Sequence, residues 1–175
     1  LQSLKILDWH LSRLSLIASV QDIRDLVGGQ TIRLFSVDGD HAKEAVLHDL
    51  SLASASLCDG GVIIVDDLFN AWYPTVTEAV YEYFRTSAAE AMEPIAFIAA
   101  NGPVETGAAK LLIARRSYAN KYKAGLKLLN QDDLKHCDSF AGHKEVPAFW
   151  FAAEPTKRTL DGYLVKILDD IIKNS

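Results

Sequence analysis

Two short apolar runs that each end in acidic residues constrain this chain more than any other feature. Ile32–Val37 and Val62–Val65 are rich in valine and isoleucine with little alternation, the pattern of strands covered on both faces of a parallel sheet. Parallel neighbours need a long crossover, usually a helix. The stretch from His41 to Leu57 supplies one, with Ala42, Ala45, Val46, Leu50, Ala53 and Leu57 at helical spacing. Asp40 is placed to cap that helix, and Gly60–Gly61 to end the connection before the next strand.

The unit then repeats. After Asp66–Asp67 a polar loop leads to Pro74 at a first helical turn, then Val76, Ala79, Val80, Tyr83 and Phe84, then the apolar run Ile95–Ala99. Strand, helix, strand, helix, strand predicts an α/β fold with a Rossmann-like, doubly wound, mostly parallel sheet, whose ligands bind at the carboxyl ends of the strands. Leu14–Ala18 reads as a preceding strand, and Leu111–Ala114 and Pro147–Ala152 as later ones. A helix carrying Tyr118, Tyr122, Leu126 and Leu129 separates those two. Leu160, Leu164, Ile167, Leu168 and Ile171 predict a closing amphipathic helix, and Leu1, Leu4, Leu7 and Leu11 an opening one. No repeat or boundary divides 1–175, which reads as a single domain; the polar stretch Asn130–Asp138 is the nearest thing to a linker. Because the chain opens on Leu1 inside a helical pattern, it is expected to be the interior of a longer protein, N-terminally truncated.

Charge narrows the partners. Eighteen basic residues against 23 acidic ones give a net charge of −5, which disfavours phosphate backbones and anionic membranes and favours a small-molecule substrate. A homo-oligomer is left open. Two irregularly spaced cysteines, Cys58 and Cys137, make neither a disulfide framework nor a zinc site, so a cytoplasmic location is expected. No apolar run approaches the roughly 18 residues of a membrane span. Arg115, Arg116, Lys121 and Lys123 beside Tyr118 and Tyr122 read as a solvated helix rather than a nucleic-acid face. Glu105–Lys110 lacks the full phosphate-loop signature.

Chemistry concentrates where the two buried runs end. Asp38 follows the first, with His41 three residues on, and Asp66 and Asp67 follow the second. Acids at the ends of adjacent parallel strands can surround a hard cation such as Mg²⁺, which takes oxygen ligands and keeps exchangeable waters. A nearby imidazole then removes the proton of a hydroxyl. In the following loop, Asn70 either holds a substrate hydroxyl or builds an Asx turn before Pro74. Trp72 either stacks on a ligand or, as expected, packs the loop against the core. His48 and Asp49 are read as solvent-facing with a local ion pair, and His10, His136 and His143 as structural.

The segment Arg33–His41, Asp49–Leu50, Gly60–Asp67, then Asn70, Trp72, Pro74 and Val76, resembles the second half of the class I S-adenosylmethionine-dependent methyltransferases. More narrowly, it is similar to the small-molecule O-methyltransferase branch that includes the macrocin-type and related sugar methyltransferases. The resemblance runs from about Leu14 to Ala114. It implies S-adenosylmethionine as cofactor, Mg²⁺ held by Asp38, Asp66 and Asp67, and His41 as general base with Asp38 beside it in catalysis. Asn70 and Trp72 fall on the substrate side. The family's glycine-rich cofactor loop and its ribose-binding acid are not in this sequence. Of the cofactor contacts, only Asp38 and Ser19, in the turn after Leu14–Ala18, have counterparts.

Three functions compete. The first is a methyltransferase that methylates a small-molecule or sugar hydroxyl with Mg²⁺ assistance, though as this piece alone inactive. The second is a degenerate, non-catalytic methyltransferase-like binding module. The third is a receiver-like domain phosphorylated on one of the acids, disfavoured by the long aromatic loop at 70–76.

Overall fold

The computed structural model describes residues 5–7, 19–29, 31–100, 109–151, 166–171 and 173. Its elements run β1 (Lys5–Leu7), α1 (Val20–Leu26), β2 (Ile32–Val37), α2 (Lys43–Ser56), β3 (Leu57–Leu68), α3 (Pro74–Tyr83), β4 (Met92–Ala100), β5 (Ala109–Arg115), α4 (Arg116–Leu129), β6 (Leu134–Phe140) and β7 (His143–Phe151). A further helical segment covers 166–171. The expected strand at Leu14–Ala18 lies outside the described residues, as do Leu160 and Leu164 of the closing helix.

Seven strands form one sheet in the order β1-β2-β3-β5-β4-β7-β6. β1–β2, β2–β3 and β4–β7 pair parallel, whereas β3–β5, β4–β5 and β6–β7 pair antiparallel. The Rossmann-like α/β architecture is therefore present, with a mixed sheet. Alternate residues of the central strands feed opposite cores, as a period of two requires. Ile63, Val65, Leu111 and Ile113 face the layer of α1, α2 and α3. Val62, Ile64, Leu112 and Ala114 face α4 and the segment at 166–171. Burying each such side chain contributes roughly 1.5–3 kcal/mol over leaving it exposed. No helix among the described residues is long and apolar enough to cross a membrane.

Several local expectations are corrected. Lys5–Leu7 is a strand rather than part of an opening helix, because the free edge of β2 offers backbone partners that outweigh the leucine spacing. Asp40 does not cap α2: Ala42 is the N-cap residue, and the Asp40 carboxylate accepts from the Ala42 amide at 2.9 Å, in the turn just before it. Gly60–Gly61 does not end the connection but lies inside β3. Between the pairs Ile32↔Leu57 and Leu34↔Val62, β3 advances five residues while β2 advances two, so β3 bulges there. Gly60 has φ 71, and a Cβ on Gly61 would meet the Leu57 side chain at 2.8 Å and the Cys58 carbonyl at 3.0 Å. Both positions therefore need glycine.

Within Asn130–Asp138 the chain forms β6 from Leu134 onward, not a linker; its side chains are largely exposed, as suits an edge strand. Nor is α4 a purely solvated helix. Tyr122 is fully buried and its hydroxyl donates to the Gly60 carbonyl, and Lys123 is buried with Glu93 at 2.6 Å and the Lys144 carbonyl at 3.1 Å. Burial holds the Tyr122 hydroxyl up at about 12. Asp49, read as solvent-facing, is half-buried.

Candidate functional site

Parallel pairing brings the acidic ends together. Val37 of β2 is in register with Val65 of β3, so Asp38 and Asp66 follow at the same level of the sheet. Consecutive strand residues point to opposite faces, and the two acids of the doublet separate accordingly. Asp66 Oδ2 accepts from Lys110 Nζ on β5 at 2.8 Å, and Asp66 Oδ1 accepts from the Asp67 amide at 3.0 Å. Asp67 has φ 58, and β3 loses its register with β5 between Val65 and Leu68. That left-handed turn, which Asp tolerates better than most residues, carries the Asp67 side chain to His41.

His41 Nε2 and Asp67 Oδ2 are 2.9 Å apart. An ionised carboxylate only accepts, so in the neutral ring this contact places the proton on Nε2 and leaves the lone pair on Nδ1. The His41 ring also stacks on Tyr73, with centroids 3.8 Å apart and planes 8° from parallel. The His41 carbonyl accepts from the Thr75 hydroxyl of α3 at 2.7 Å. Lys43, just beyond His41 in α2, bridges Glu78 at 2.7 Å and Glu82 at 2.6 Å on α3. Those two carboxylates hold the Lys43 ammonium well above its usual range. α2 and α3 are thus tied together beside the imidazole.

Asp38, His41 and Asp67 each offer one ligand atom, all within 4.8 Å of one another. The donor chemistry suits a hard divalent cation on the two carboxylates, with water completing the shell. Asp66, expected in the same set, is not part of this group; its carboxylate faces the Lys110 ammonium instead. Asn70 is buried, donates from Nδ2 to Asp67 Oδ1 at 2.8 Å and accepts from the Trp72 amide at 2.9 Å. The Asx turn is therefore present, with a bond to the site besides. Trp72 does not pack the loop against the core: it is 71% exposed. Ser19 is the N-cap of α1, accepting from the Asp22 amide at 3.2 Å and donating to the Asp22 carboxylate at 2.7 Å.

Sequence reasoning missed Lys110 and Tyr73. A lysine leading directly into the apolar run Leu111–Ala114 was the available signal for the first. An aromatic next to Trp72 was the signal for the second. No curated protein and no solved structure matches the chain. Residues 10–68 match the model of a family described as a methyltransferase domain. That match spans β2, α2 and β3 with Asp38, His41, Asp66 and Asp67, and it supports a methyltransferase domain.

Proposed function

We propose that this chain forms the acceptor side of an S-adenosylmethionine-dependent O-methyltransferase acting on a small-molecule or sugar hydroxyl. The observation that carries the reading is the His41–Asp67 contact at 2.9 Å, at the carboxyl ends of two adjacent parallel strands, where this architecture binds ligands. His41 Nδ1 accepts the proton of the acceptor hydroxyl as its oxygen becomes the nucleophile. Asp67 stabilises the imidazolium that results and holds the ring in one tautomer. Tyr73 fixes the plane of the ring, so its lone pair is delivered in one direction. The sulfonium cofactor, when bound, supplies the methyl group for in-line displacement.

A divalent cation would be held by Asp38 and Asp67, where it would lower the pKa of a coordinated hydroxyl. Asp66 serves a different purpose in this reading, keeping Lys110 and the β3–β5 pair in place at the edge of the site. The acceptor is small, in keeping with the net charge of −5.

The test is transfer of an isotopically labelled methyl group from S-adenosylmethionine to a panel of small hydroxyl compounds by the full protein, with and without EDTA. Transfer that EDTA abolishes and Mg²⁺ restores supports the metal-assisted form. Transfer that ignores EDTA leaves the His41–Asp67 dyad as the proton-removing device. No transfer to any hydroxyl acceptor sinks the reading.

A further inference from the structure

Both contacts that fix the His41 ring, the Asp67 carboxylate and the Tyr73 stack, trace back to Asn70. Asn70 Nδ2 donates to Asp67 Oδ1 at 2.8 Å, while Asp67 Oδ2 faces His41. The Asn70 amide donates to the Asp67 carbonyl at 3.2 Å, and the Asn70 carbonyl accepts from the Tyr73 amide at 3.1 Å. Asn70 Oδ1 accepts from the Trp72 amide at 2.9 Å. At 5% exposure, this side chain is shielded from water that would compete for those bonds.

We propose that Asn70 and Tyr73 are positioning residues for His41: Asn70, through Asp67, sets Nδ1 as its proton-accepting nitrogen, and Tyr73 sets the plane of the ring. An Asx turn needs only the Oδ1 acceptor, so the Nδ2 donation to Asp67 goes beyond what the loop requires. Nor does core packing demand the Tyr73 stack, since Tyr73 is 41% exposed. The Asp67 carboxylate is rotationally fixed only if both oxygens are engaged. Asn70 engages one and His41 the other, so Asn70 decides where the acceptor for Nε2–H lies. This is the logic of a base oriented by a carboxylate that is itself oriented by a third group.

This inference rests on the reading of His41 as the base, but it is tested without turnover. The ¹⁵N resonances of the His41 ring are recorded on the chain in chelator-treated buffer, at a pH where the imidazole is neutral, without cofactor or acceptor. In the wild type, Nε2 is expected protonated and Nδ1 bare. Asn70→Asp keeps the acceptor for the Trp72 amide but cannot donate to Asp67. The preference for the Nε2–H tautomer should then fall by about tenfold, the loss of one charge-assisted hydrogen bond. Tyr73→Leu should keep the tautomer and lose the upfield ring-current shift on the His41 ring protons. Circular dichroism checks that each variant is folded, and Asn70→Ala, which also has no donor for Asp67, replaces Asn70→Asp if the latter is not. A wild-type Nδ1–H tautomer, or a tautomer ratio unmoved in the folded Asn70 variant, overturns the proposal. If the tautomer behaves as expected while His41→Ala leaves methyl transfer unchanged in the full protein, the positioning stands and the base reading falls.

Discussion

Asp66 and Lys110, 44 residues apart in sequence, meet at 2.8 Å across the β3–β5 pair. Both side chains are largely buried, at 14% and 8% exposure. Removing one partner of such a pair leaves the other charge in a poorly solvated place, which costs about 3–5 kcal/mol when burial is complete. Lys110→Met is expected to destabilise the chain by about 2–4 kcal/mol in urea titration. Adding Asp66→Asn should recover most of that. Equal losses in the single and double variants would show that the pair is not the coupled unit.

His41→Ala is expected to lower methyl transfer by the full protein roughly 10²–10⁴-fold, the range for a lost general base, with the melting temperature nearly unchanged. Elevated pH should restore part of the rate, since hydroxide can take the proton. Asp67→Asn keeps the shape but replaces the pure acceptor with a group that also donates, freeing the ring to adopt either tautomer. Its rate should fall toward that of His41→Ala, and the double variant should be no worse than the lower of the two. Additive losses would place the two residues in separate roles.

Asp49 gives stability a pH dependence of predictable sign. Burial raises its carboxyl to about 6, with His48 opposing and Asp40 reinforcing the rise. A carboxyl whose folded pKa is raised favours the fold while protonated. The contribution is complete below the unfolded value of about 3.9 and is lost as pH rises through about 6. Asp49→Asn should remove this loss, stabilising the chain above that window by on the order of 1 kcal/mol, discounted because the group is partly open to water. Urea midpoints of both proteins below and above the window measure it. An Asn variant that gains nothing at the higher pH rules out burial of Asp49 as a cost.

Gly125 sits inside α4, where alanine would ordinarily gain about 1 kcal/mol of helix propensity. A Cβ there would meet three Ile171 side-chain atoms at 2.5, 2.7 and 2.9 Å. Overpacking of this kind costs about 1–3 kcal/mol. Gly125→Ala is therefore expected to destabilise, and proteolysis should clip the chain near 166–171 faster. A stabilised variant with unchanged proteolysis would mean that this segment does not dock on α4.

How much of this was legible before folding depends on how local the cause was. The unit β2–α2–β3 could be read directly, because branched apolar runs and one helical period are short-range properties of the chain. The same holds for α3, whose Pro74 stands at its first position. Asp38 and His41 were marked by their place after a buried strand, which is again local. The division of labour between Asp66 and Asp67 was not legible. It follows from a positive φ at Asp67 and from Lys110, brought in by β5. Neither the insertion of β5 between β3 and β4 nor the conversion of Leu134–Phe140 into an edge strand has a local signature. Each depends on backbone groups of a distant strand waiting to be paired. Sequence determined which residues stand at the carboxyl ends of the sheet; tertiary structure decided which face each takes and which partner it meets, because orientation and long-range pairing are settled only when the strands come together.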